Sequence, residues 1–287
     1  MKITVTNVYN NTAMQGSNLK KGHGQSFFIE TEGTKILYDT GLNGKDLLYN
    51  FNLMNIDPNT IDYLVISHGH YDHTGGLEEL LKVRASPKPL LTIAHPSILE
   101  AKKARGKKFK LPYKYDIGIP KIEEILFKKL NFKFVEGPYQ ITPWLYTSGV
   151  VLDREEKDGT SERHIHKERR KWVSDPMLDD LSLVLKTKKG LVLICGCCHA
   201  GLLNVLKQVD ENHKNEKIHS ILGGTHMVAF TGDEVTHVGD ILESLYGTPQ
   251  LYLNHCTGNH IIDQLKSRFG ENIVKPCHVG TQLSFDH

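Results

Sequence analysis

Seven consecutive residues, Ser67-His68-Gly69-His70-Tyr71-Asp72-His73, constrain this chain more than any other stretch. Three imidazoles and a carboxylate are packed into it, directly after an apolar, β-branched run at 61–67. Thr74-Gly75-Gly76 and the helically spaced Leu77-Glu78-Glu79-Leu80-Leu81 follow. The cluster is therefore expected on a loop between a buried strand and a helix, a place where rigid elements commonly hold chemistry. On extended backbone, side chains two apart share a face, so His68 and His70 converge on one point. Asp72 and His73 fall past the turn and can face a second point. Neutral imidazole and carboxylate suit zinc, iron or manganese. A tetrahedral zinc wants about four ligands, so one cluster cannot complete two ions and other strand ends must contribute.

Three histidines stand in such places. His199 lies in Cys195-Gly196-Cys197-Cys198-His199-Ala200-Gly201, His226 in Gly223-Gly224-Thr225-His226, and His255 in Asn254-His255-Cys256-Thr257-Gly258. Each follows an apolar run and precedes glycine or a helical pattern, and strands of one sheet often present their carboxyl ends to a shared crevice. His199 and His255 are read as ligands. His226 is read as a ligand or, failing that, as a residue facing the substrate. His23, in Gly22-His23-Gly24, is a further candidate substrate contact on a flexible loop. His164 and His166 imitate a metal pair but sit in a charged stretch, so solvent is expected there. Cys197 shares a side of its strand with His199 and is the one thiol placed to join a metal; the other cysteines show no regular disulfide spacing.

The rest of the pattern alternates strand and helix. Runs 26–30 and 35–39 flank a Glu32-Gly33 turn, and runs 181–185 and 191–194 flank Lys188-Lys189-Gly190. Helical patterns at 201–209 and 238–246 and strands at 218–222 and 251–253 complete the last third, which argues for sheets covered by helices. Between them, about 97–180, the sequence loses its period. Two basic stretches there, 102–108 and 164–171, read as solvated insertions or lids within one domain spanning 1–287. The formal charge of +2 is too small to argue for nucleic acid, and aromatic residues do not interleave with the basic runs in sequence. No apolar run approaches the roughly 20 residues of a membrane helix. No signal-peptide pattern opens the chain. A cytoplasmic protein without nucleic-acid or membrane partners is expected; its oligomeric state is open.

His68, His70, Asp72 and His73 match the His-x-His-x-Asp-His signature of the metallo-β-lactamase superfamily, which the chain resembles over about residues 3–285. Asp39-Thr40-Gly41 is similar to a turn typical of that superfamily, whose aspartate orients a ligand histidine. The resemblance implies an α/β (α+β) fold, a four-layer αββα sandwich of two mixed sheets with helices on both outer faces and metals at one edge. It implies His199 with His68 and His70 at a first ion, and His255 with Asp72 and His73 at a second. Two departures stand out: Thr147-Ser148-Gly149 lacks the expected histidine, and Gly196 is followed by Cys197 where a bridging aspartate is usual. The Gly196–Gly201, Gly223–His226, His255–Gly258 and Asp179–Leu183 stretches look like the dihydropterin–ribofuranosylaminobenzene 5'-phosphate synthase branch. There an aromatic amine displaces diphosphate from a pterin-6-ylmethyl diphosphate.

The expected protein is thus an enzyme carrying two divalent ions, zinc foremost, with manganese, iron or magnesium as further candidates. Its substrate is expected to be a small phosphorylated, ring-bearing (pterin-like) metabolite, used by diphosphate-displacing transfer or by hydrolysis through a hydroxide formed at the metals. Asp72 and His226 are the candidate catalytic residues. A superfamily phosphodiesterase or nuclease is the alternative within enzymes, and a metal-binding sensor without chemistry is the alternative outside them.

Overall fold

The computed structural model describes residues 1–108, 111–214 and 216–287. In chain order the first strands are β1 (Lys2–Asn10), β2 (Gln25–Glu30), β3 (Lys35–Tyr38), β4 (Tyr63–Val65) and β5 (Leu90–Ala94). The middle of the chain holds β6 (Lys102–Lys108), β7 (Leu111–Asp116), β8 (Leu130–Phe134), β9 (Gln140–Thr142) and β10 (Leu145–Thr147). Then come β11 (His164–Glu168), β12 (Lys171–Ser174), β13 (Leu183–Thr187) and β14 (Gly190–Cys195). The last are β15 (Ile218–Gly223), β16 (Gln250–Leu253), β17 (Val274–Pro276) and β18 (Gln282–Asp286). Helices α1 (Gly44–Leu53), α2 (Tyr71–Thr74), α3 (Leu77–Val83) and α4 (Glu124–Phe127) lie in the first half. Helices α5 (Leu202–Asn212), α6 (Gly232–Ser244) and α7 (Asn259–Phe269) lie in the second.

Two seven-stranded sheets form, ordered β18-β1-β2-β3-β4-β5-β8 and β17-β16-β15-β14-β13-β10-β9. Both are mixed: β3, β4, β5 and β8 run parallel, as do β14 to β17, while the remaining pairs are antiparallel. Period-2 alternation decides what faces what. Ile36 and Tyr38 point between the sheets, where they join Leu183, Leu185, Val192 and Ile194. Leu37 points the other way, into a cluster with Leu47 and Phe51 of α1 and Leu77, Leu80 and Leu81 of α3. Val184, Leu191 and Leu193 likewise face outward, against Leu202, Val205 and Leu206 of α5, Val238 of α6 and Leu265 of α7. Three apolar layers between four structural layers give the αββα sandwich. Each buried aliphatic side chain contributes roughly 1.5–3 kcal/mol.

The region expected to be irregular is partly ordered as a third sheet, β12-β11-β6-β7, all antiparallel. Its period escapes notice because the body buries few of its residues, Lys102, Ala104 and Ile165 among them. Lys102, expected in solvent, is buried because Asp175 and Asp179 receive its ammonium at 2.7 and 3.0 Å. Lys103 lies over the Trp172 ring, so aromatic and basic side chains do adjoin in space. Among the described residues, no helix is long and apolar enough to cross a membrane.

Candidate metal centre

The loops after β4, β14, β15 and β16 carry the ligand-type residues. Because β14, β15 and β16 are parallel, their carboxyl ends open at the same edge. Tight backbone brings the loops together. Asp39, Cys198, His226 and His255 all adopt positive φ, between 48° and 61°, a costly conformation for non-glycine residues that clusters at functional sites. Gly24 sits so close to the first loop that a Cβ there would meet the Asp72 carbonyl oxygen.

His68, His70 and His199 form one donor set, their ligand nitrogens all within 4.8 Å of one another. His68 Nε2 is 3.1 Å from His70 Nδ1. Asp72, His73 and His255 form a second set. His73 Nε2 lies 3.3 Å from His255 Nε2, and Asp72 Oδ2 lies 3.8 Å from the former and 3.4 Å from the latter. Cys197 stands between the sets: its Sγ is 3.2 Å from His73 Nε2 and also lies within 4.8 Å of donors on His68, His199 and His255. The thiol thus occupies the position between two clusters that a bridging group would take.

The donors fit divalent cations. His70 Nε2 and both His199 ring nitrogens are buried without a hydrogen-bond partner, a costly condition that a ligand relieves. Burial first, and the neighbouring imidazoles second, hold His68 and His199 well below the ordinary histidine range; burial does the same for His70. These rings are therefore neutral, the form that binds metal. Burial would also depress His73, but the Asp39 and Asp72 carboxylates outweigh it and hold that imidazole up at about 9. The Cys197 thiol is pushed well up, by burial first and Cys256 second; a coordinated cation reverses this, since ligating thiols are deprotonated.

Supporting groups fix which ring nitrogen is free. His73 Nδ1 meets Asp39 Oδ2 at 2.6 Å, and the other Asp39 oxygen accepts the Ser67 N–H at 2.8 Å. Ser67 Oγ donates to Asp39 Oδ2 and lies 2.9 Å from His68 Nδ1. Asp39 therefore fixes the His73 ring directly and the His68 ring through Ser67. His255 Nδ1 is held by Asn11 Oδ1 at 2.9 Å, leaving Nε2 toward the cluster. Asp179 Oδ2 accepts the Gly69 N–H, Asp180 Oδ2 accepts the Ala200 N–H, and Ser67 O accepts the Leu181 N–H, each at 2.8–2.9 Å. One short segment thereby clamps both ligand loops. Asn11 went unseen in the sequence, where nothing local distinguishes it.

Both sets open into a cleft of about 160 Å³ lined by His23, Tyr71, Tyr115, His164 and His226, among others. His23 is exposed, its Nε2 3.2 Å from Asp72 Oδ2. The His226 ring lies 4.0 Å from that of His199, and its Nδ1 is buried without a partner. His164 departs from expectation: it is half-buried and packs edge-on to His70 at 5.0 Å. His166 is half-buried too, with its ring against Glu100 at 2.6 Å and not among the residues lining the cleft.

Fold and donor sets together define a two-sheet sandwich with a histidine-rich centre at one edge. The chain belongs to the metallo-β-lactamase superfamily, whose sequence profile matches residues 19–197. It is similar to the 7,8-dihydropterin-6-methyl-4-(β-D-ribofuranosyl)-aminobenzene-5'-phosphate synthase of Methanocaldococcus jannaschii, at 29% identity over 272 residues, covering 92% of this chain and 90% of that one. An uncharacterized protein of the same organism is 33% identical over 246 residues, covering 85% and 87%. Among solved structures, Tm1679, a metal-dependent hydrolase of the β-lactamase superfamily, shares the fold with a TM-score of 0.82. It is 24% identical, and the match covers 99% of this chain and 100% of that one. Membership implies divalent metal binding, which the donor sets fit.

Proposed function

We propose that this chain is a metal-dependent enzyme acting on a small phosphorylated, ring-bearing metabolite of pterin-like chemistry, by diphosphate-displacing transfer or by hydrolysis. The observation that carries this reading is the pair of donor sets meeting at Cys197 and opening into one confined cleft. Similarity to the methanogen synthase over nine-tenths of the chain supports the substrate class. His68, His70 and His199 would hold one cation and Asp72, His73 and His255 the other, with Cys197 between them. Divalent ions held there would supply charge neutralisation for phosphoryl oxygens and would make a nucleophile available from water near neutral pH.

The chain's own groups divide the remaining work. Burial would lower the pKa of His226, but Cys256 beside it outweighs this and raises it. His226 lines the cleft, where its ring can give a proton to a leaving oxygen. Asp72 acts as a ligand, and His23 at the exposed mouth contacts the substrate. The carboxylates of Asp39, Asp179 and Asp180 hold the geometry and touch no substrate.

The test is to load purified protein with zinc or manganese and supply a pterin-6-ylmethyl diphosphate with and without an aromatic amine, alongside simple phosphate esters. Diphosphate release that needs the amine assigns transfer; release without it assigns hydrolysis. A fully metallated protein inert toward all of them overturns the reading.

A further inference from the structure

The small third sheet carries a residue that neither donor set uses. His164, the first residue of β11, lies edge-on to His70 at 5.0 Å and to His199 at 5.9 Å, and it lines the cleft with Ala104, Tyr115 and Ile117 of the same region. Its Nδ1 is buried and has no hydrogen-bond partner. Buried polar atoms rarely go unpaired. The His164 ring lines the cleft, so a group that enters the cleft is placed to partner it.

His164 is also held in place with unusual care. Its N–H donates to Ser161 O at 2.8 Å, and its carbonyl accepts the Asp175 N–H at 3.0 Å. Asp175 and Asp179 share the buried Lys102 ammonium, and Asp179 accepts the N–H of Gly69, between His68 and His70. The sheet that carries His164 is thus tied through a dry ion-pair strut to the very loop that carries the first donor set.

We propose that His164 is a specificity-determining residue whose ring N–H donates to a phosphoryl oxygen of a substrate seated over the His68–His70–His199 set. The inference rests on the phosphorylated-substrate reading above. A phosphoryl oxygen is an acceptor near neutral pH, which matches a neutral imidazole that can offer one N–H. The cap sheet then selects substrates as well as covering the metals.

The test uses metal-loaded protein and inorganic pyrophosphate as the probe, with binding measured by calorimetry and metal content by elemental analysis. His164→Ala is expected to keep the wild-type metal content and melting temperature but to weaken pyrophosphate about tenfold or more. His164→Asn or His164→Gln, whose amide N–H groups sit near the positions of Nδ1 and Nε2, should recover part of the loss, and His164→Leu should not. His166→Ala, on the same strand but paired with Glu100 outside the cleft, should bind as wild type. Unchanged affinity in His164→Ala, or loss of metal with that change, overturns the assignment. Metallated wild type that binds no pyrophosphate overturns the phosphate reading and this assignment with it.

Discussion

Asp39 shows how much a single carboxylate decides at the residue scale. It holds His73 Nδ1, the Ser67 amide and the Ser67 hydroxyl at once. Replacing it with asparagine should lower metal affinity by about 10- to 100-fold while leaving the fold intact, as removing such a ligand-orienting partner typically does; competition against a fluorescent chelator reads this directly. His73, held up at about 9, is protonated in the metal-free protein at neutral pH, whereas His68, His70 and His199 are neutral. Binding at the second donor set must therefore expel the His73 proton. Calorimetry in buffers of different ionisation enthalpy should show close to two protons released per protein near pH 7.5, one from His73 and one from the Cys197 thiol, falling toward one as pH rises through about 9. A buffer-independent enthalpy would contradict the assignment. Cobalt-loaded protein should show a sulfur-to-metal charge-transfer band that Cys197→Ser removes; its persistence would exclude that thiol. The residues of the two donor sets were legible as neighbours in the sequence because histidines placed after apolar runs share one edge once the strands pair. Asn11 and His164 were not legible. The first reaches His255 across 244 positions, and the second hides in a run of charges.

Elements impose the next level of order. Helix α6 begins earlier than its apolar pattern suggests, because Thr231 and Glu234 form a reciprocal capping box at its start. Helix α1 similarly depends on Asn43, whose side chain accepts the Lys45 and Asp46 amides. The central strands were legible because each alternates between two apolar layers. The third sheet was not, since so little of it is covered, and Lys102 looks like its exposed neighbours until Asp175 and Asp179 are brought against it. Removing that lysine should leave two buried carboxylates unpaired. Lys102→Met is expected to cost about 3–5 kcal/mol in urea denaturation. A cost below about 1 kcal/mol would mean that water or a rearranged cap satisfies both acids.

Over the whole molecule, the two sheets and their helices serve as a rigid frame for loops that are themselves conformationally costly. Backbone in the left-handed region at Asp39, Cys198, His226 and His255 persists because both sheets hold the loop ends. Bound ions should repay part of that cost. Stripping metal with a chelator is therefore expected to lower the melting temperature by roughly 8–16 °C, and readdition should restore it. The central claim is that two cations sit side by side at one edge of the sandwich. Anomalous diffraction from crystals of metal-loaded protein tests it most directly. The account predicts two peaks, one among His68, His70 and His199 and one among Asp72, His73 and His255, with the Cys197 sulfur between them. A single enclosed peak, or ions bound elsewhere on the chain, would contradict it.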